Sequence, residues 1–414
     1  MKDKIGDGSI VSLFNATPEP TTEESIFCPH FYELKYANGC GFDCQWCFLN
    51  GTFRFDKAVG KSPRRKDNDK IAKDFEKALK LFDTPTIFNA GEVNDGLVFE
   101  DQLSTIIFPL LRKYKNKGHR VLILTKSNSM KLTRFSDMKD QVIMAYSVNA
   151  PGVSSRWELG APMPLNRLEA ARAFLDLGFE VRLRIDPIVA IEDWQNHYRT
   201  LVQAIMKFTP GISVITLGSL RGLQSTLINC RERGNDTTWT EYLEEKSEWG
   251  LRAKFEKRKE SYEFIIKLLK DYGYRGEIGI CKESISMFKA MKLNPFRQVC
   301  NCIGNSPLTP LGEKEADSKW ESLVNPQTPY NLVEEPNHDS ETKGKDSIIP
   351  SASERLSEVR NSKGPRKDET RTEEAQGTGQ ANQVPNGESP EDKGPGRGNA
   401  QSPKRKYKRR SVLR

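Results

Sequence analysis

The sequence predicts an α/β fold: a partial (β/α)6 TIM-type barrel, in which a parallel sheet is wrapped by helices. Three observations predict it. Strand-like and helix-like segments alternate from about residue 31 to residue 217. Glycines stand at stop positions after two of the helix-like segments. Residues able to do chemistry follow the strand-like segments, where sites gather in parallel barrels.

The expected strands are 31–36, 85–89, 120–125, 141–148, 180–185 and 213–217, each short and rich in β-branched or aromatic residues. Between them, residues 69–82 place Ile71, Phe75, Ala78, Leu79 and Phe82 three to four apart, the period of one helix face. Residues 102–115, 164–177 and 194–208 read the same way, with Gly118 and Gly178 after the first two of these. A charged excursion over 218–250 precedes a long helix at 251–272 and a last strand-like piece at 276–281.

The chain has 414 residues and a net charge of +8, unevenly spread. Residues 331–403 are slightly acidic, whereas 404–414 hold seven Lys or Arg and no acid. Four regions follow: a flexible N-terminal arm at 1–26, a core at 27–220, a C-terminal extension at 221–325 and a tail at 326–414. The tail is dominated by Glu, Lys, Gly, Pro, Ser and Asn, a composition too poor in apolar residues to offset ordering entropy, so disorder is expected. The N-terminus lacks an apolar signal region and no stretch approaches 18 apolar residues, so a cytoplasmic protein without a membrane is expected. In that compartment, cysteines at ligand spacing favour metal over disulfides.

Eight cysteines are present, three of them in Cys40-Gly-Phe-Asp-Cys44-Gln-Trp-Cys47. Three thiolates on one loop can hold three irons of a [4Fe-4S] cluster and leave the fourth iron open. Zinc sites usually use four ligands and paired CxxC elements. The strand ends add Ala90-Gly91-Glu92, Lys126-Ser127, Ser147-Val148-Asn149 and Asp186-Pro187. Arg184 and Asp186, two apart on a strand, share a face and make either a site pair or a salt bridge capping the barrel.

The C-x3-C-x2-C loop, with Trp46 before its third cysteine, resembles the signature of radical S-adenosylmethionine enzymes. The runs Tyr146-Ser-Val-Asn-Ala-Pro151, Glu158-Leu-Gly-Ala-Pro, Asn166-Arg-Leu-Glu-Ala-Ala171 and Asp186-Pro-Ile are similar to the spore photoproduct lyase branch. The resemblance covers roughly residues 27–217. It implies S-adenosyl-L-methionine on the open iron of a cluster held by Cys40, Cys44 and Cys47. It also implies a one-electron reductant such as flavodoxin or ferredoxin, and a 5′-deoxyadenosyl radical that abstracts hydrogen from substrate. It carries cofactor contacts to Trp46, Gly91, Glu92, Lys126, Ser147 and Asn149, with Lys126 near the cofactor carboxylate and Glu92 near its ammonium. The bland alternatives are a surface lysine at 126 and a structural or substrate-contacting acid at 92. Glu92, Asp95, Arg184 and Asp186 are the candidate catalytic residues.

Departures from the branch narrow the function. Its hydrogen-donor cysteine corresponds to Glu92, which has no weak X–H bond to give, and its tyrosines flanking the third cysteine correspond to Trp46 and Phe48. A diverged radical enzyme of unknown substrate is expected, with photoproduct repair as one alternative and a non-catalytic, metal-stabilised nucleic-acid-binding protein as the other. Late in the chain, Cys281, Cys300 and Cys302 are either ligands of an auxiliary iron–sulfur cluster or zinc, or buried thiols, with Cys28 or Cys230 as a fourth ligand. The basic tail is either solvated or a salt-sensitive nucleic-acid contact.

Overall fold

The computed structural model describes residues 3–14, 19–297, 299–303 and 313–324. The expected tail at 326–414 and its basic run lie outside the described residues. Nine strands form the main sheet, and their order in the sheet is their order in the chain. They are β1 (Lys4–Ile5), β2 (Val11–Phe14), β3 (Phe31–Leu34), β4 (Ile87–Asn89), β5 (Arg120–Thr125), β6 (Val142–Val148), β7 (Glu180–Ile188), β8 (Val214–Ser219) and β9 (Glu277–Ile280). From β3 to β9 every pairing is parallel. β1 and β2 pair antiparallel at the edge beside β3.

Two sequence expectations change here. Part of the N-terminal arm is strand, because Val11 and Ile10 bury their side chains fully and thereby fix the edge hairpin. The piece at 276–281 becomes the seventh parallel strand, so the sheet runs past the expected core boundary at residue 220. The helices fall close to expectation: α1 (Asn68–Leu81), α2 (Pro164–Asp176), α3 (Trp194–Phe208) and α4 (Phe255–Asp271). Asp67 caps α1 by accepting from the Lys70 amide at 2.8 Å. Gly118 and Gly178 both adopt positive φ, 68° and 79°, as helix-stop glycines should.

The two faces of the sheet differ in character. Val121, Ile123, Met144, Leu183 and Ile215 point to one face and join the main core, each essentially without exposure. Burying such side chains stabilises by about 1.5–3 kcal/mol apiece. The opposite face is polar toward the strand C-termini. Register places Ser147, Arg184, Thr216 and Gly279 in one row across β6 to β9.

The polar face is concave. Asn89 of β4 donates to Cys302 Sγ at 3.4 Å, while Thr216 of β8 and Leu183 of β7 bond the adjacent Asn301 at 2.8 and 2.9 Å. In a flat sheet β4 and β7 would lie roughly 14 Å apart, too far for neighbouring residues of one loop to reach both. The loop at 299–303 therefore plugs a hollow, and the strand C-termini surround its mouth.

Candidate active site

One cavity of about 240 Å³ opens at that mouth. Its walls include Cys40, Cys44, Trp46, Cys47, Gly91, Glu92, Asp95, Lys126, Ser147, Arg184 and Asp186. Residues predicted from the ends of five strands thus meet in one place. Phe48, Arg221, Trp249 and Lys282 line it as well.

The cysteine loop is built by backbone bonds to three segments. The Gly39 amide donates to Val93 O at 2.8 Å, Cys40 N to Lys61 O at 2.7 Å, and Gln45 N to Trp157 O at 2.7 Å. Cys44 pairs in antiparallel register with Glu158. Gly39 has φ 82°, and a Cβ there would stand 2.2 Å from Ser62 O, so only glycine fits before Cys40. Trp46 packs on Trp157 with ring centroids 5.4 Å apart. None of the three cysteines is in a disulfide. Burial pushes the Cys40 thiol up to about 12 and raises Cys44 and Cys47 as well. Bare thiolates are therefore costly here, and a bound cation would offset that cost. Three sulfurs of one loop facing one cavity are the donor set that a cluster with three protein ligands needs.

Gly91 lets the chain pass β5: a Cβ would sit 2.6 Å from Leu124 Cβ. Asp95 is fully engaged. It accepts from Thr125 Oγ1 at 2.7 Å, from Lys126 N at 2.9 Å and from Leu97 N at 3.0 Å, which fixes the backbone that presents Lys126. Lys126 Nζ donates to Ser147 Oγ at 2.7 Å and faces Glu158 Oε1 at 3.5 Å. Glu158 pairs with Arg167 at 2.7 Å, both side chains without exposure. Burial opposes ionisation of Glu158, but Lys126 and Arg167 together outweigh it and hold its carboxyl below the ordinary range.

Asp186 accepts from Arg221 Nη2 at 2.7 and 2.8 Å and from Arg184 Nε at 3.0 Å. Burial acts against its ionised form, yet Arg221 and Arg184 outweigh burial and hold the carboxyl well below the usual range. Gly218 leaves room for that carboxylate, since a Cβ would lie 2.6 Å from its Cγ. Asn149 is fully buried and outside the cavity lining; its side chain bonds Pro187 O, Ala150 N and Tyr198 Oη. Cys281, Cys300 and Cys302 line a neighbouring void.

Sequence reasoning gave no role to Glu158, Arg167, Arg221, Trp249 or Lys282. Glu158 and Arg167 stood inside the family-like runs, a signal that could have found them. The other three sit in the excursion and after β9, where no local pattern marks them.

Residues 27–217 match the family model described as spore photoproduct lyase. A curated spore photoproduct lyase from Clostridium acetobutylicum is 23% identical over 176 residues, 42% of this chain and 51% of the relative. The chain thus spans about half the length of the curated relative that it matches. A solved spore photoproduct lyase complexed with dinucleoside spore photoproduct is 19% identical, covering 60% of this chain and 75% of its own, at a TM-score of 0.49. SuiB of Streptococcus suis, bound to S-adenosylmethionine, is 13% identical, covering 61% and 50%, at a TM-score of 0.40. Over residues 27–217, with the three-cysteine loop inside them, this chain is similar to the spore photoproduct lyases.

Proposed function

We propose that this chain is a radical S-adenosylmethionine enzyme whose curled sheet is a partial (β/α)6 barrel around the reacting groups. The reading is carried by one observation: Cys40, Cys44 and Cys47 line the same cavity as Gly91, Glu92, Lys126 and Ser147. The three cysteines hold a [4Fe-4S] cluster. Glu92 accepts the ammonium of S-adenosylmethionine, and Lys126, steadied by Ser147 and Glu158, meets its carboxylate. Bound there, cluster and cofactor would supply one-electron reductive cleavage of the sulfonium C–S bond, releasing methionine and a 5′-deoxyadenosyl radical, with a flavodoxin or ferredoxin as electron donor. Arg184, Asp186 and Arg221 stand on the substrate side and orient polar or anionic groups.

Nucleic acid is the substrate class favoured by Phe48 in the cavity wall and by the aromatic and basic residues that follow it in the chain. Phe48 is 44% exposed and Phe55 84% exposed beside the cysteine loop. Arg54 lies over Phe55 at 4.2 Å and Arg64 over Phe53 at 4.9 Å. Aromatic faces among cations suit unstacked bases and their phosphates. The solved lyase that holds a dinucleoside photoproduct agrees with this class. Repair by the lyase's thiol route is disfavoured: among the described residues, the cavity lining contains no tyrosine and no thiol beyond the three cluster cysteines.

The test is anaerobic. After iron and sulfide reconstitution and dithionite reduction, the protein is expected to release 5′-deoxyadenosine from S-adenosylmethionine, and Cys44→Ala to release none. A colourless protein, or a loaded one that leaves the cofactor intact, would defeat the proposal. Reversal of dimers in irradiated DNA would show that another group replaces the missing thiol.

A further inference from the structure

Behind the cavity, four cysteines from distant parts of the chain surround one small void: Cys28, Cys281, Cys300 and Cys302. All four are buried and none is in a disulfide. Long-range pairing assembles them. The strand Ile26–Phe27 pairs antiparallel with Glu283–Ser284, which brings Cys28 beside Cys281. Cys230, the other candidate for a fourth ligand, is elsewhere, bonded to Asn50 and to Gln45 O.

The Cys300-Asn301-Cys302 turn is anchored at more points than a surface loop needs. Asn301 N donates to Thr216 Oγ1 at 2.8 Å, its side chain donates to Leu183 O at 2.9 Å, and Arg182 donates to Asn301 O at 2.8 Å. Gly279 permits the approach, since a Cβ would stand 2.3 Å from Val299 O. Lys282, next to Cys281, adopts φ 53°, a conformation that bulky residues rarely take without cause.

Sulfurs that merely fill a core sit among apolar groups. These do not. Arg184 donates to Cys281 Sγ at 3.2 Å and Asn89 to Cys302 Sγ at 3.4 Å. Arg184 and Lys282 both border the void, and Glu92 completes its polar wall. Two cations beside four thiols supply the charge that a tetrathiolate centre with net negative charge would need.

We propose that Cys28, Cys281, Cys300 and Cys302 ligate a second iron–sulfur cluster, separated from the active cavity only by Glu92, Arg184 and Lys282, which line both spaces. Among the described residues no three Cys, His, Asp or Glu groups are gathered for a single metal ion, which holds for these four thiols as for Cys40, Cys44 and Cys47. Four thiols around one void are the ligand number of a [4Fe-4S] cluster, and zinc is the competing occupant that the metal count separates.

The experiment reads metal and not turnover, so it is independent of the proposed reaction. Iron, acid-labile sulfide and zinc are counted in anaerobically reconstituted full-length protein, in C40A/C44A/C47A and in C28S/C302S. The expected counts are about eight irons for wild type and about four for each variant. The triple variant retains an absorbance near 400 nm that persists with S-adenosylmethionine unchanged. A triple variant without iron, a wild type with only about four irons lost on C40A/C44A/C47A, or zinc at the late site would each overturn the proposal. Should the triple variant not fold, Mössbauer spectra of wild type decide by showing two cluster populations or one.

Discussion

Lys126 is held by two oxygens of different character, the Ser147 hydroxyl at 2.7 Å and the Glu158 carboxylate at 3.5 Å. Glu158 also neutralises Arg167, which is wholly buried. Removing its charge leaves that guanidinium uncompensated, so Glu158→Gln should cost about 3 kcal/mol of stability, measurable by denaturant unfolding. An unchanged midpoint would show that the pair is not important to the fold. Asp186 yields a pH prediction. Its folded carboxyl binds a proton less readily than the unfolded one, because Arg221 and Arg184 outweigh burial. Its stabilisation is therefore complete above the unfolded value of about 3.9 and is lost as pH falls below it. Melting curves from pH 5 to pH 2.5 should converge for wild type and Asp186→Asn; a constant gap between them would contradict this. At this scale the cysteine triad, Lys126, Ser147, Arg184 and Asp186 were legible in the sequence, because short strands put their last residues at one mouth. Arg221 was not, since its bond to Asp186 spans 35 residues and no periodicity reports it.

The elements carry the site through a few backbone constraints. Gly39 stands at φ 82° with Ser62 O where a Cβ would go. Gly39→Ala should displace the turn that carries Cys40, cost more than about 1 kcal/mol and lower iron loading. Gly118→Ala is the control. Its φ is 68° but its nearest contact is Pro85 Cγ at 3.3 Å, far from the cysteines, so it should lose stability and keep its iron. Equal loading of the two variants would refute the constraint. Strand and helix alternation was readable because the helices show clean spacing, as in α1 with Ile71, Phe75, Ala78 and Leu79 buried. The edge strands β1 and β2 were not, being two and four residues long and defined by pairing, β2 with β3 and β1 with β2. The Ile26–Phe27 pairing that delivers Cys28 was hidden for the same reason.

At the scale of the molecule, strand order equal to chain order and a curled polar face bring the groups after β4 and after β9 to one cavity. No helix among the described residues is long and apolar enough to cross a membrane. Every side chain assigned to either thiol site lies at or before Cys302. A chain ending at residue 324 should therefore keep its iron content and its release of 5′-deoxyadenosine, while any nucleic-acid affinity contributed by 404–414 would weaken and lose part of its salt dependence. Loss of iron in the shortened chain would mean that the later residues support a site. The α/β class with a large parallel sheet could be anticipated from repeating strand and helix units; the curl could not, because it shows in the 299–303 loop bonding strands three and four positions apart. The central claim is that three cysteines hold a cluster with one iron open to S-adenosylmethionine. Electron paramagnetic resonance of the dithionite-reduced protein, with and without S-adenosylmethionine, tests it most directly. The account predicts a reduced-cluster signal that changes on adding the cofactor and is absent in Cys40→Ala, Cys44→Ala and Cys47→Ala. The absence of any cofactor-responsive signal in wild type, or a cofactor-responsive signal that survives in those three variants, would contradict the account.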